Sequence, residues 1–258
     1  MPAFPVLCFH RGSHVWYSIS SRQHGVEMSV KGKALFLNSA KKRDRREKLR
    51  QANMHARADS ALRLLICGGS IAAGYGVARS YVDRLRERYA PCGVEIINRS
   101  HHRQTSFDAI DYFDQEIDPF RPDLLMLHFG IDDAFFPVYR SEFKENLVQI
   151  VRLARQRFNP LVLLPTSQTF DNPFDMDAVN IYYRTIREVA VDLACELIPV
   201  HTYWAGYLVQ HGLSNAGLVQ ADTRYPNEHG HAVMADAMAN VLDRLIPKRR
   251  DKAEPSAG

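Results

Sequence analysis

The 258-residue sequence predicts an α/β fold, a doubly wound five-stranded parallel sheet with helices on both faces in three layers. Two observations carry this. Short, nearly all-apolar runs recur from residue 62 onward, as strands buried on both faces read. Between them lie segments whose apolar residues return every three or four positions, the period of a helix that covers a sheet with one face. Parallel neighbours require crossover connections of right-handed sense, so the alternation specifies the kind of sheet.

The elements follow in order. Residues 62–67 form the first strand, which ends in Gly68-Gly69. Ser80 is a good N-cap for a helix that places Tyr81, Val82, Leu85 and Tyr89 on one face. Residues 94–97 are the second strand, followed by a helix carrying Phe107, Ile110, Phe113 and Ile117. Leu124–His128 is the third strand, and Phe143, Leu147, Ile150, Val151, Ala154 and Phe158 form the next helical stripe. Residues 161–164 are the fourth strand; Val179, Tyr182, Tyr183, Ile186, Val189 and Leu193 line its helix. Residues 197–200 are the fifth strand, then come a loop-rich stretch and a closing amphipathic helix at 233–246.

Composition narrows the class. Hydrophobic content of 46% with 24% charged residues is that of a globular chain, and no stretch approaches the roughly 18–20 apolar residues that span a bilayer. The start has no apolar core with a small-residue cleavage site. Cys8, Cys67, Cys92 and Cys195 are scattered without C-x-x-C spacing, so neither zinc nor a disulfide framework is expected, and a reducing cytoplasm is the expected location. The net charge of +4 is unevenly placed. Residues 1–60 hold 12 basic and 4 acidic side chains, and residues 61–246 hold 17 and 23. The domains are therefore a basic extension over 1–60, with a small β element plus a helix or linker, an acidic α/β domain over 61–246, and a disordered tail over 247–258. The run KKRDRREKLR at 41–50 reads as a solvated linker or surface helix, or as a patch for a nucleic acid or an acidic partner.

Sheets of this kind bind ligands at the carboxyl ends of their strands. The first such end reads Gly68-Gly69-Ser70-Ile71-Ala72-Ala73-Gly74. Small residues let the backbone turn sharply into a helix, whose free N–H groups suit an oxyanion or a phosphate, yet no nucleotide-binding glycine motif and no G-x-S-x-G elbow is present. With Asn98 after the second strand, Gly130-Ile131-Asp132-Asp133 after the third, and Asp222 with Pro226-Asn227 and Gly230-His231 before the last helix, the chain resembles the SGNH/GDSL hydrolase family over about residues 62–246. The resemblance implies the flavodoxin-like SGNH fold and hydrolysis of acyl or acetyl esters without cofactor or metal. It places the nucleophile at Ser70 and the triad aspartate at Asp222.

Four other positions depart from the pattern. The Asp of Gly-Asp-Ser is Gly69; the oxyanion Gly falls at Arg103; the oxyanion Asn is Asp132; and the His three residues after Asp222 is Tyr225. A serine hydroxyl needs a base, and a phenol with a pKa near 10 is a poor one at neutral pH. An ionised Asp132 accepts only and would repel the developing oxyanion. Arg103 and Asp132 would face the same small space, which predicts either a salt bridge that plugs the oxyanion hole or a re-tooled site where Arg103 grips a carboxylate or phosphate. His229, His101 and His102 are candidates for a substitute base, whereas His231 and His128 read as structural. Asp132, Asp133 and Asp222 have no metal-ligand spacing.

Two functions follow. In one, ester hydrolysis is weak, altered or absent and the cleft, with Gly69, Arg103, Asp132 and Tyr225, binds an acyl ester, an anionic or a carbohydrate ligand. In the other, the chain is a divergent carboxyl-ester hydrolase or acyltransferase using Ser70 and a substitute histidine.

Overall fold

The computed structural model of the chain describes residues 61–136 and 138–246. The expectations for residues 1–60 and for the tail from Pro247 lie outside the described residues. Five strands form one parallel sheet, β1 (Leu62–Gly68), β2 (Val94–Asn98), β3 (Leu124–His128), β4 (Leu161–Pro165) and β5 (Glu196–Ile198), in the order β2-β1-β3-β4-β5. The sheet reverses direction of growth between β1 and β3, and that reversal opens a crevice at the carboxyl ends of those two strands. Leu64, Leu65 and Ile66 of β1 and Leu124, Leu125 and Met126 of β3 have no exposed surface, because both faces are covered.

The helices divide into two groups. α2 (Tyr81–Tyr89), α8 (Val200–His211) and α9 (Glu228–Leu245) pack in series on one face, and α3 (Ser106–Asp111), α6 (Arg140–Arg157) and α7 (Pro173–Asp192) on the other. Short helices α1 (Ser70–Ala73), α4 (Phe113–Glu116) and α5 (Ile131–Phe135) sit at strand and helix ends. Ser80 caps α2 as expected, in a capping box with Asp83, and Tyr81, Val82, Leu85 and Tyr89 are its buried residues.

Three expectations need correction. The helix after β2 is broken at Tyr112 into α3 and α4, and this change of phase leaves Phe107 48% exposed while Ala109, Phe113 and Ile117 turn inward. The strand expected at 197–200 ends at Ile198, and the stretch beyond it, expected as loop, is helix α8, which buries only Val200 and Trp204 fully. The last helix begins earlier, at Glu228, where Asn227 accepts from the Gly230 N–H and caps it.

Candidate active site

At the end of β1 the chain turns through Gly69 directly into α1, so Ser70 is the first helical residue. A β-carbon at position 69 would collide with Asp132 Oδ2 and lie 2.6 Å from the Gln104 carbonyl oxygen. Glycine is thus required by close approach. Ser70 itself has no exposed surface. Its N–H donates to Asp132 Oδ2 (2.6 Å) and its hydroxyl donates to Asp132 Oδ1 (2.7 Å), so one carboxylate straddles backbone and side chain.

The loop after β2 supplies the third contact. Asn98 donates to the Ala72 carbonyl (2.9 Å) and accepts from the Ser100 N–H (3.2 Å), tying the loop to α1. Arg103 then takes a left-handed backbone conformation, φ +64°, and its N–H donates to Ser70 Oγ (2.9 Å). A glycine would adopt this conformation more readily, yet the arginine holds it and keeps the backbone donor. Thr105 caps α3 through Asp108.

The predicted Arg103–Asp132 pair does not form. The Arg103 guanidinium lies 4.3 Å from the Phe136 ring centroid, and among the described residues it makes no ion pair with Asp132. Asp132 already spends both oxygens on Ser70, and the missing side chain of Gly69 gives it the room to do so. In place of the expected pair, Asp132 is bonded to Ser70, and Arg103 approaches the serine through its backbone N–H. Burial pushes the Asp132 carboxyl above the usual range, against the hydrogen bonds from Ser70 and the charges of His102 and Arg224. Neighbouring Asp133 accepts from the Ser106 N–H (2.8 Å) and the Gly130 N–H (2.9 Å), joining α3 to α5, and burial raises it to about 6. Gly130, at φ +120°, is the turn that allows this.

The last loop brings Tyr225 over the serine. Tyr225 is buried, and burial raises its phenol, partly offset by hydrogen bonding with Ser70. Its ring meets Tyr75 edge-on at 5.1 Å, and Tyr75 stacks on His102 at 3.8 Å. The Asp222 carboxylate makes no hydrogen bond to Ser70 or Tyr225, although its charge acts on the Tyr225 phenol. Arg224 holds this carboxylate with Nε at 2.8 Å and Nη2 at 2.6 Å, and that fork keeps the Asp222 carboxyl below its usual range.

Of the three histidines proposed as substitute bases, none hydrogen-bonds Ser70 in this arrangement. His229 is exposed and bonded to the Tyr207 hydroxyl (2.8 Å), and His101 lies 3.4 Å from Glu116 Oε1. His102 stacks on Tyr75, within reach of the Asp132 charge. His128 and His231 are buried as expected. His128 bridges the Tyr81 hydroxyl (2.9 Å) and Ser167 Oγ (2.8 Å), and His231 Nδ1 accepts from the Tyr81 N–H (3.1 Å). Burial lowers them to about 3 and about 4.

The structure thus gathers Gly69, Ser70, Arg103, Asp132 and Tyr225, with His102 beside Tyr75 and Tyr225, and gives Asp222 and the three candidate histidines no hydrogen bond to the serine hydroxyl. Sequence reasoning missed Arg224 and Ser167. The first was visible as a cation two residues after Asp222; the second has no local signal. Beneath Gly69 and Asp132 the cavity that reaches His128 and Ser167 measures about 10 Å³, about one water's worth.

A strand-end serine turn, a loop donor from the second strand and a final Asp-containing loop on this sheet order define an SGNH-type hydrolase scaffold. Residues 66–233 match the GDSL-like lipase/acylhydrolase family, and the chain belongs to it. Among solved structures, an α/β hydrolase enzyme from the metagenome of Lake Arreo, Spain, is similar at 20% identity and TM-score 0.63, covering 72% of this chain and 97% of that one. An acetylxylan esterase from Geobacillus stearothermophilus is similar at 21% identity and TM-score 0.61, covering 70% and 94%. Catalytic mutants of that esterase replace a serine, an aspartate, and a histidine three residues beyond the aspartate. No curated protein sequence matches the chain significantly.

Proposed function

We propose that this GDSL-family chain does not use Ser70 as the family does, and that it keeps the scaffold as a ligand-binding domain with ester hydrolysis weak, altered or absent. The observation that carries the reading is the fully buried Ser70 hydroxyl bonded to Asp132 at 2.7 Å. A nucleophile must present its oxygen to a carbonyl carbon and pass its proton to a base that can return it to the leaving group. Here the proton points to a carboxylate in the place where negative charge would have to develop. The acetylxylan esterase pattern of aspartate and histidine three residues apart reads Asp222 and Tyr225 in this chain, and the aspartate is held by Arg224. We extend the proposal to a reducing cytoplasm, on the scattered cysteines, and to an acidic partner for residues 1–60, on their charge.

The test is to treat the full chain with a fluorophosphonate probe and with p-nitrophenyl acetate, alongside Ser70→Ala. We expect labelling and turnover to be the same in both proteins. Labelling and turnover that vanish in Ser70→Ala would establish instead a divergent ester hydrolase or acyltransferase. That second reading has one observation in its favour, the Arg103 N–H that still points at Ser70 Oγ from 2.9 Å, as an oxyanion donor would.

A further inference from the structure

Next to the buried serine, and separate from its hydroxyl, lies a cavity of about 360 Å³, within the size range of small-molecule sites. His101, His102, Arg103, Gln104 and Tyr112 are among the residues that line it. The wall is fixed through its backbone. The His101 N–H donates to the Gly68 carbonyl (3.2 Å), the Gln104 N–H to the His101 carbonyl (3.2 Å), and the Arg103 N–H to Ser70 Oγ. With Arg103 held at φ +64°, its side chain leaves the loop from a set position.

The charges in the cavity wall are not equivalent. Asp108 is occupied by the Thr105 N–H and hydroxyl, both at 2.8 Å. Glu116 accepts from Arg99 Nε at 2.5 Å and faces His101 at 3.4 Å, and the Arg99 hydrogen bond holds its carboxyl below the usual range. Both acids are therefore matched by protein donors. Arg103 is exposed, rests on the Phe136 ring, and makes no ion pair among the described residues. A guanidinium packed on one face by an aromatic ring keeps its N–H edge available in a planar fork, which suits the oxygens of a carboxylate or phosphate. Gln104, also in the wall and buried, has a side-chain oxygen without a hydrogen-bond partner.

We infer that this cavity binds a small organic oxyanion, a carboxylate or a phosphate monoester, with Arg103 as the residue that holds the anionic group. This site does not depend on whether Ser70 reacts, so the fluorophosphonate result and the result below are independent.

The experiment is a titration of the full, isotope-labelled chain with sodium phosphate, sodium acetate, a hexose phosphate and a hexuronate, read by amide shifts, with sodium chloride as the ionic-strength control. We expect saturable shifts at residues 101–104 and Tyr112 for at least one anion beyond the chloride control, and the phosphate and carboxylate series separate the two head groups. Arg103→Met should weaken that binding at least tenfold, and Arg103→Lys should recover part of it. Arg103→Gly, which favours the observed backbone conformation, should show the same loss in a folded protein. Shifts no larger than those of chloride, or equal affinity in Arg103→Gly, would overturn the inference.

Discussion

Ser70 in this chain is bonded like a structural residue, and its replacement should behave accordingly. Ser70→Ala would leave the buried Asp132 Oδ1 and the half-buried Arg103 N–H without their partner. The expected cost is about 1–3 kcal/mol of stability, measured by urea unfolding; a more stable Ser70→Ala protein would instead indicate a strained reactive serine. Gly69→Ala should cost a further comparable amount, about 1–3 kcal/mol, because its methyl group enters the space of the Asp132 carboxylate and the Gln104 carbonyl. Reversion follows the same contacts. Tyr225→His alone should leave turnover at background, since Asp132 still holds the serine proton. Adding Asp132→Asn should raise Ser70-dependent p-nitrophenyl acetate hydrolysis at least tenfold over background, and Arg103→Gly should add little, because position 103 acts through its backbone N–H. Inactivity of the folded double variant would count against Tyr225 as the histidine position. At this scale the sequence located the residues better than their contacts. Motif spacing brought Ser70, Arg103, Asp132 and Tyr225 to one place, but the direction of the Arg103 side chain depends on a positive φ and on Phe136, neither of which has a sequence signature.

Across elements, Tyr81 of α2 joins His128 at the end of β3 to His231 of α9 through its hydroxyl and its backbone N–H. Arg84 and Asp83 are the charges that act on His231, with opposite signs, and burial outweighs both in lowering it to about 4. A histidine lowered in this way stays neutral in the folded state while the unfolded chain takes up a proton below about pH 6.5. Its contribution is therefore complete above about pH 6.5 and is lost as the pH falls toward about 4. His128, at about 3, acts in the same direction, and Asp133, raised to about 6, acts in the opposite one. The difference between wild type and His231→Asn cancels the other two. The asparagine oxygen can accept the Tyr81 N–H without titrating. From about pH 7 to pH 5, wild type should lose about 2 kcal/mol more than the variant, read by urea unfolding at each pH. Equal losses would show that His231 is protonated in the folded state. The strands and the long helices were legible because burial on two faces and on one face leave different apolar periods. Helix α8 was not, since Val200 and Trp204 are its only fully buried residues and no continuous apolar stripe marks it. The break between α3 and α4 was missed for a related reason: Phe107 falls on the helical period of Ile110 and Phe113, and only the turn at Tyr112 takes it out of the core.

For the whole molecule the charge is divided by position along the chain. Residues 61–246, which hold the five strands of the described sheet, carry 17 basic and 23 acidic side chains, while residues 1–60 carry 12 and 4 and residues 247–258 carry 4 and 2. At about 0.1 M salt, charges more than about 10 Å apart are largely screened from one another, so a surface meets a charged partner with its local charge and not with the molecular net of +4. The full chain should therefore bind a polyanionic matrix such as heparin at low ionic strength and elute as salt rises. A fragment of residues 61–246 should pass through the same column, because like charges repel and its net charge is −6. The cavity beside Arg103 should not follow this division. Its cation is local, backed by Phe136 and flanked by acids already matched with donors, so the fragment that no longer binds heparin should keep its phosphate- or carboxylate-dependent amide shifts at residues 101–104. Retention of the fragment on heparin would place the polyanion site within the α/β domain, and Arg103→Gly in that fragment would then show whether the two sites are one.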